Sequence, residues 1–179
     1  MGFANLWHSS PRWNSTSDLM QSIYELKDPV VDTLNKIEDA PVDFLPRDWK
    51  LMRQVKMVLQ PFKDATEQLS FHDASISMVI PTVTMIIDTL AEETSDDIGV
   101  LGLKRHLREE MELRFSGIES KEHYAIATIL DGKYKKCFFQ DSDMFEAAKA
   151  LLVEKLVQAV MTATGETGAN IQVILLLHG

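Results

Sequence analysis

Apolar residues recur along this chain at steps of three and four, a period that commits it to helices before anything else is considered. Gly and Pro punctuation divides the pattern into about six segments. The first, roughly Ser15 to Glu38, places Leu19, Ile23, Leu26 and Val30 behind a Ser15 or Thr16 cap, and Pro29 should kink or split it. The second opens near Pro46, a residue suited to a first helical turn. It lines up Trp49, Met52, Val55, Leu59, Phe62, Ala65 and Leu69, with a bend expected at Pro61. From Ser75 to Thr94 the run of Met78, Val79, Val83, Ile86, Ile87 and Leu90 is apolar enough to be buried on most sides, with Pro81 inside it. Its β-branched residues keep a strand open as the alternative.

Ile98 to Phe115 carries Leu103, Leu107 and Met111 at spacing four, with Lys, Arg and Glu covering its other faces. Lys121 to Leu130 is short, apolar and closed by Asp131-Gly132. The last helical segment has Asp143 and Glu146 in capping-box spacing and then Met144, Ala148, Leu151, Leu152, Leu156, Ala159 and Val160 down one side, stopping near Gly165. The expected fold is all-α: an irregular bundle of about six helices, several kinked by proline. Residues 1–10 are read as a flexible N-terminus, 11–164 as the helical domain and 165–179 as a poorly structured or strand-like tail.

Composition narrows the function classes. With 45% hydrophobic residues and fourteen aromatics among 179 residues, the chain can bury enough surface to fold. The 18 Lys and Arg against 27 Asp and Glu leave a net charge of −9, which excludes a basic footprint over the whole chain. One cysteine, Cys137, precludes an internal disulfide and makes a reducing cell interior the default compartment. The N-terminus lacks a signal-peptide pattern, and the longest apolar run, Ile171 to Leu177 with Gln172 inside it, is far below the roughly 18 residues of a membrane span.

No catalytic motif is present. The histidines at 8, 72, 106, 123 and 178 are dispersed and lack zinc-ligand spacing, and His106 with Glu110 reads as a solvated helix pair rather than a metal site. Gly-rich phosphate loops and the Gly-x-Ser-x-Gly elbow are missing, and Cys137 between Lys136 and Phe138 has no assignable base. Carboxylates such as Asp96-Asp97, Glu109-Glu110 and Asp141/Asp143 are abundant, but no pattern assembles them; caps and wet helix faces account for them. Two basic clusters remain, Lys104-Arg105-His106-Leu107-Arg108 and Lys133-Tyr134-Lys135-Lys136. The second is followed by Phe138 and Phe139, a mixture that suits a nucleic-acid backbone, while a charged surface loop is the plain reading. No cofactor, metal or small-molecule substrate is expected.

Three blocks in series carry a resemblance: residues 11–16 (Pro-Arg-Trp-Asn-Ser-Thr), 59–70 (Leu-Gln-Pro-Phe-Lys-Asp-Ala-Thr-Glu-Gln-Leu-Ser) and 127–135 (Ala-Thr-Ile-Leu-Asp-Gly-Lys-Tyr-Lys). Together with Ser77 to Pro81 and the helix from Leu107 to Phe115, they resemble the hAT-superfamily transposases and their domesticated relatives, the BED-type zinc finger proteins. Such proteins combine a BED zinc finger, an RNase H-like core with an Asp-Asp-Glu triad, a helical insertion splitting that core, and a dimerisation segment. This chain resembles the insertion, over about residues 11 to 139, and the zinc ligands and catalytic triad have no counterpart in it. The resemblance therefore implies a non-catalytic fragment or domesticated copy, nuclear in location (otherwise cytoplasmic). Arg12 and Trp13 match the family's Arg-Trp motif, where Trp can stack on a base and Arg can pair a phosphate; a core anchor beside a cap is an equal reading of Trp13. Asp131 matches the Asp of a Leu-Asp-Pro-Arg-Tyr-Lys pattern, with Gly132 and Lys133 where Pro and Arg are usual, and is read as structural. The DNA-contact candidates are thus Arg12, Trp13, Lys133, Lys135 and Lys136. The alternative is a helical protein-interaction module that self-associates through an apolar face or the tail.

Overall fold

The computed structural model describes residues 13–38, 44–91 and 98–164, the side chains of Trp13, Asn14 and Thr164 excepted. The readings of residues 1–10, of Arg12 and of the 165–179 tail lie outside the described residues. Seven α-helices and two 3-10 turns are found among the described residues, with no strand, so the fold is all-α, and the segment that began at Ser75 is helical from Ile76 to Ala91 rather than extended. The contacts divide the chain into two compact units, one holding residues 1–72 and 86–113, the other 73–85 and 114–179.

In the first unit, α1 (Trp13–Glu25) and α2 (Lys27–Leu34) are separated at Leu26, three residues before Pro29. A proline ring clashes with the carbonyl four residues back and brings no N–H, so the chain breaks one turn upstream and Pro29 falls within the first turn of α2, where neither defect matters. Helix α3 (Pro46–Ser70) starts on Pro46 as expected and runs unbroken past Pro61. Asp48 accepts the Leu45 N–H at 2.9 Å, and Phe44 lies 4.9 Å from Trp49, ring centre to ring centre, stapling the helix entry from both sides. Lys63 pairs with Asp18 at 2.6 Å and ties α3 to α1; that hydrogen bond holds the Lys63 ammonium above its ordinary value. The core of the unit is Val58, Ile86, Leu90 and Val100, closed by Phe62 and by the Leu103, Leu107, Met111 stripe of α5 (Ile98–Arg114).

The second unit begins with the 3-10 turn Ile76–Met78, capped by Ser75, and continues into the first part of α4 (Val79–Ala91). Pro81 is buried and occupies the first turn of α4, so among the described residues Pro61 is the proline that sits inside a helix. A second 3-10 turn, Ile118–Ser120, follows Gly117, whose left-handed φ of 67° an L side chain rarely adopts. Glu119 then accepts the backbone N–H groups of Gln140 (2.9 Å) and Asp141 (3.2 Å). The capping residue of α7 (Ser142–Thr164) is Asp141, which accepts the Asp143 N–H at 2.8 Å; the Asp143–Glu146 spacing therefore lies inside the first turn instead of forming the cap. Ile80, Ala125 and Ala148 form the core. Ala125 on α6 (Glu122–Leu130) and Ala148 on α7 are both small, which lets these helices approach closely.

Candidate nucleic-acid interface

The turn that follows α6 carries three exposed lysines, Lys133, Lys135 and Lys136, within four residues. Such a loop of like charges disperses unless the backbone holds it. Here the Asp131 carbonyl accepts the N–H groups of Tyr134 (3.1 Å) and Lys135 (3.2 Å), and its carboxylate Oδ1 accepts the Lys133 N–H at 3.0 Å. The other carboxylate oxygen, Oδ2, accepts the Ser77 hydroxyl at 2.7 Å. Ser77 is only 2% exposed, and its Oγ lies 2.9 Å from that of Ser75; since Ser77 spends its proton on Asp131, Ser75 supplies the proton of that pair.

The Asp131–Ser77 junction is fixed from behind. Thr128, fully buried, donates to the Tyr124 carbonyl at 2.8 Å with the Ser77 carbonyl sharing the proton at 3.2 Å. Lys133's N–H and then the Ser77 hydroxyl stabilise the Asp131 carboxylate and hold its pKa below the ordinary 3.8. Beyond the turn, Tyr134 meets Phe138 edge-on at 5.7 Å, Thr84 donates to the Phe138 carbonyl at 3.2 Å, and Phe138 and Phe139 pack onto the core. Lys135 takes a left-handed φ of 48°, a conformation that costs a non-glycine residue energy.

This arrangement corrects one expectation and sharpens another. A Gly132-Lys133 pair in place of Pro-Arg would leave the loop loose if rigidity came from proline, yet the Ser77 and Lys133 hydrogen bonds to Asp131 supply it instead. Asp131 is structural, as read from the sequence. Ser77 was missed as a partner; the only signal for it was that residues 77–81 and 127–135 both belong to the resembling blocks, and they meet here. The phenylalanines after the lysines are packing residues, so they offer no stacking platform.

The other candidates separate. Trp13 is the first residue of α1, and Arg12 lies outside the described residues. The Lys104–Arg108 cluster is not a continuous cationic surface: Lys104 is 8% exposed, Leu107 packs on the core, and Arg108 pairs with Glu112 at 2.8 Å. Cys137 is exposed. Among the described residues no three His, Cys, Asp or Glu side chains converge as a metal site would require, and no helix is long and apolar enough to cross a membrane.

Comparison with known proteins gives distant relatives. The chain is 28% identical over 159 residues to zinc finger BED domain-containing protein 4 of Homo sapiens, covering 87% of this chain and 13% of that protein. It is 24% identical over 164 residues to zinc finger BED domain-containing protein 6 of Mus musculus (86% of this chain, 16% of the relative) and 24% identical over 155 residues to the Homo sapiens protein of the same name (80% and 16%). It thus spans only 13% to 16% of the length of these relatives. No family model and no solved structure matches it.

Proposed function

We propose that this chain is a non-catalytic helical module, of the insertion type found in hAT-transposase-like proteins, and that it contacts DNA through the Lys133–Lys136 turn. The observation that carries the reading is the built turn: three exposed lysines held on a backbone that a buried serine and an aspartate hold in place. Phosphate contacts need cations at fixed positions and no particular base, which is what such a turn offers. Similarity to proteins named for a BED zinc finger supports a transposase-derived, nuclear context. Catalysis is not part of the proposal, because the matched blocks contain none of the family's triad. Arg12 and Trp13 are proposed as a further contact on the strength of the Arg-Trp motif.

The test is a salt titration of binding to single-stranded, hairpin and duplex DNA by the whole chain, by Lys133→Gln/Lys135→Gln/Lys136→Gln and by Arg12→Ala/Trp13→Ala. The lysine variant should lose affinity uniformly across DNA sequences and flatten the log-salt slope by about 0.9 per phosphate contact removed. Unchanged affinity in both variants refutes the reading.

A second reading, a helical self-association module, is favoured by one observation. Val153, Leu156 and Val160 are 38%, 55% and 47% exposed and share one face of the outer half of α7, although the sequence pattern marks Leu156 and Val160 for burial. Concentration-dependent dimerisation without DNA binding would select it.

A further inference from the structure

The core stripe of α5, Leu103, Leu107 and Met111, leaves the opposite face of the helix to water, and that face is not simply polar. Leu101, Arg105, Glu109 and Leu113 follow one another on it at steps of four, and all four are exposed, Leu101 by 42% and Leu113 by 72%. A step of four advances about 40° around the axis, so the four positions stay within an arc of about 120° and form one ridge about 18 Å long, half a turn from the stripe that packs on the core. Ile98, 90% exposed, stands beside the Leu101 end. Single exposed apolar residues need no explanation, but two leucines at equal distances on either side of a pair of opposite charges are a pattern rather than scatter.

The charges between the leucines are not used up within the helix. Arg108 and Glu112 pair at 2.8 Å across one turn, whereas Arg105 and Glu109, at the same spacing, form no ion pair among the described residues. Next to the ridge at its Leu101 end lies Gly102, where an added Cβ would meet no atom within 4 Å. Glycine weakens a helix interior, and no close approach among the described residues calls for it there. Its bare backbone leaves a shallow place beside the ridge for a side chain from outside.

The order of the four residues selects the partner. Leu-Arg-Glu-Leu along one ridge is complementary to itself when a second ridge runs the other way: Arg105 meets Glu109, Glu109 meets Arg105, and each Leu101 meets a Leu113 beside Gly102. A parallel copy would set like charge on like. The antiparallel arrangement is the isologous contact of a two-fold dimer, in which one residue touches a second and the second touches the first. We infer that the Leu101–Leu113 ridge of α5 is a self-association surface, on which a second copy of this chain docks antiparallel about a two-fold axis level with Leu107. It uses neither the lysine turn nor α7 and so goes beyond both readings above. One helix pair buries less than the roughly 1,200 Å² of a stable complex, so the dimer is weak and depends on chain concentration.

The experiment is sedimentation equilibrium of the whole chain without DNA, from micromolar to millimolar concentration. It compares the wild type with Arg105→Glu, with Glu109→Arg, with an equimolar mixture of those two proteins, with the double reversal Arg105→Glu/Glu109→Arg, and with Leu156→Gln/Val160→Gln on α7. All the substituted residues are exposed, and thermal melting checks that each variant keeps the fold. Each single reversal turns two attractions into two repulsions and should weaken the dimer by about tenfold or more. The mixture and the double reversal regain opposite charges at both contacts and should restore it, a rescue that a folding defect cannot mimic. The α7 variant should associate as the wild type does. A wild type that stays monomeric at millimolar concentration overturns the inference, and so does an affinity that the single reversals leave unmoved; loss in the α7 variant alone then assigns self-association to that helix. Weakening by the single reversals without rescue in the mixture also overturns it.

Discussion

A hydroxyl that is 2% exposed cannot turn to water when its acceptor is lost, so the Ser77–Asp131 hydrogen bond should report directly on the fold. Ser77→Ala is expected to lower unfolding stability by about 1.5–3 kcal/mol in a denaturant titration, the range for a hydrogen bond to a charged group. The pH dependence follows from the direction of the Asp131 shift. Its folded-state pKa is depressed, so its contribution is complete at neutral pH and is lost as pH falls through a value below 3.8. Melting temperatures of the wild type and Asp131→Asn should therefore differ most at neutral pH and converge in acid. Lys135 separates charge from conformation: with φ at 48°, Lys135→Gly should raise stability by about 1 kcal/mol and Lys135→Val should lower it, while both weaken DNA binding to the same degree. At this scale the sequence announced the lysines and marked Asp131 as structural. It was silent about Ser77, because a contact across 54 positions leaves no periodic trace.

At the scale of elements, prolines explain most of what was and was not legible. Pro46 marked the start of α3 correctly because a first helical turn needs no amide proton there. Pro29 was read as kinking or splitting its segment and the helix does split there, while Pro81, read as internal to its segment, lies in a first turn; at that position the proline meets no helical carbonyl four residues back. Pro61 has no such escape: Trp49 and Val58 are buried on the same helix before it, and packing on both sides keeps α3 continuous. The Met57 carbonyl then has no amide proton at position 61 to accept. Pro61→Ala should raise stability by roughly 1–3 kcal/mol, less the small gain in unfolded-state entropy, as read from a denaturant midpoint. The outlines of α5 and α6 were legible from apolar spacing alone. The two 3-10 turns were not, because three-residue turns fall below the length at which a period can be recognised.

For the whole molecule, the proposed DNA contact raises the question of how a chain of net charge −9 could meet a polyanion. Charges farther apart than the Debye length, about 8 Å at physiological salt, are largely screened, so an acidic surface elsewhere does not cancel a compact basic one. We propose one such surface, the lysine turn after α6. It was visible in sequence as a cluster of three lysines within four residues. On that proposal, binding depends steeply on salt and hardly on base sequence. The most direct measurement is thus the log-salt slope of duplex binding by the unaltered chain. The account predicts measurable affinity at low salt with a slope of about −3 or steeper, equivalent to three or more phosphates neutralised. No binding at low salt, or a slope near zero, would contradict it and leave the exposed face of α7 as the functional surface.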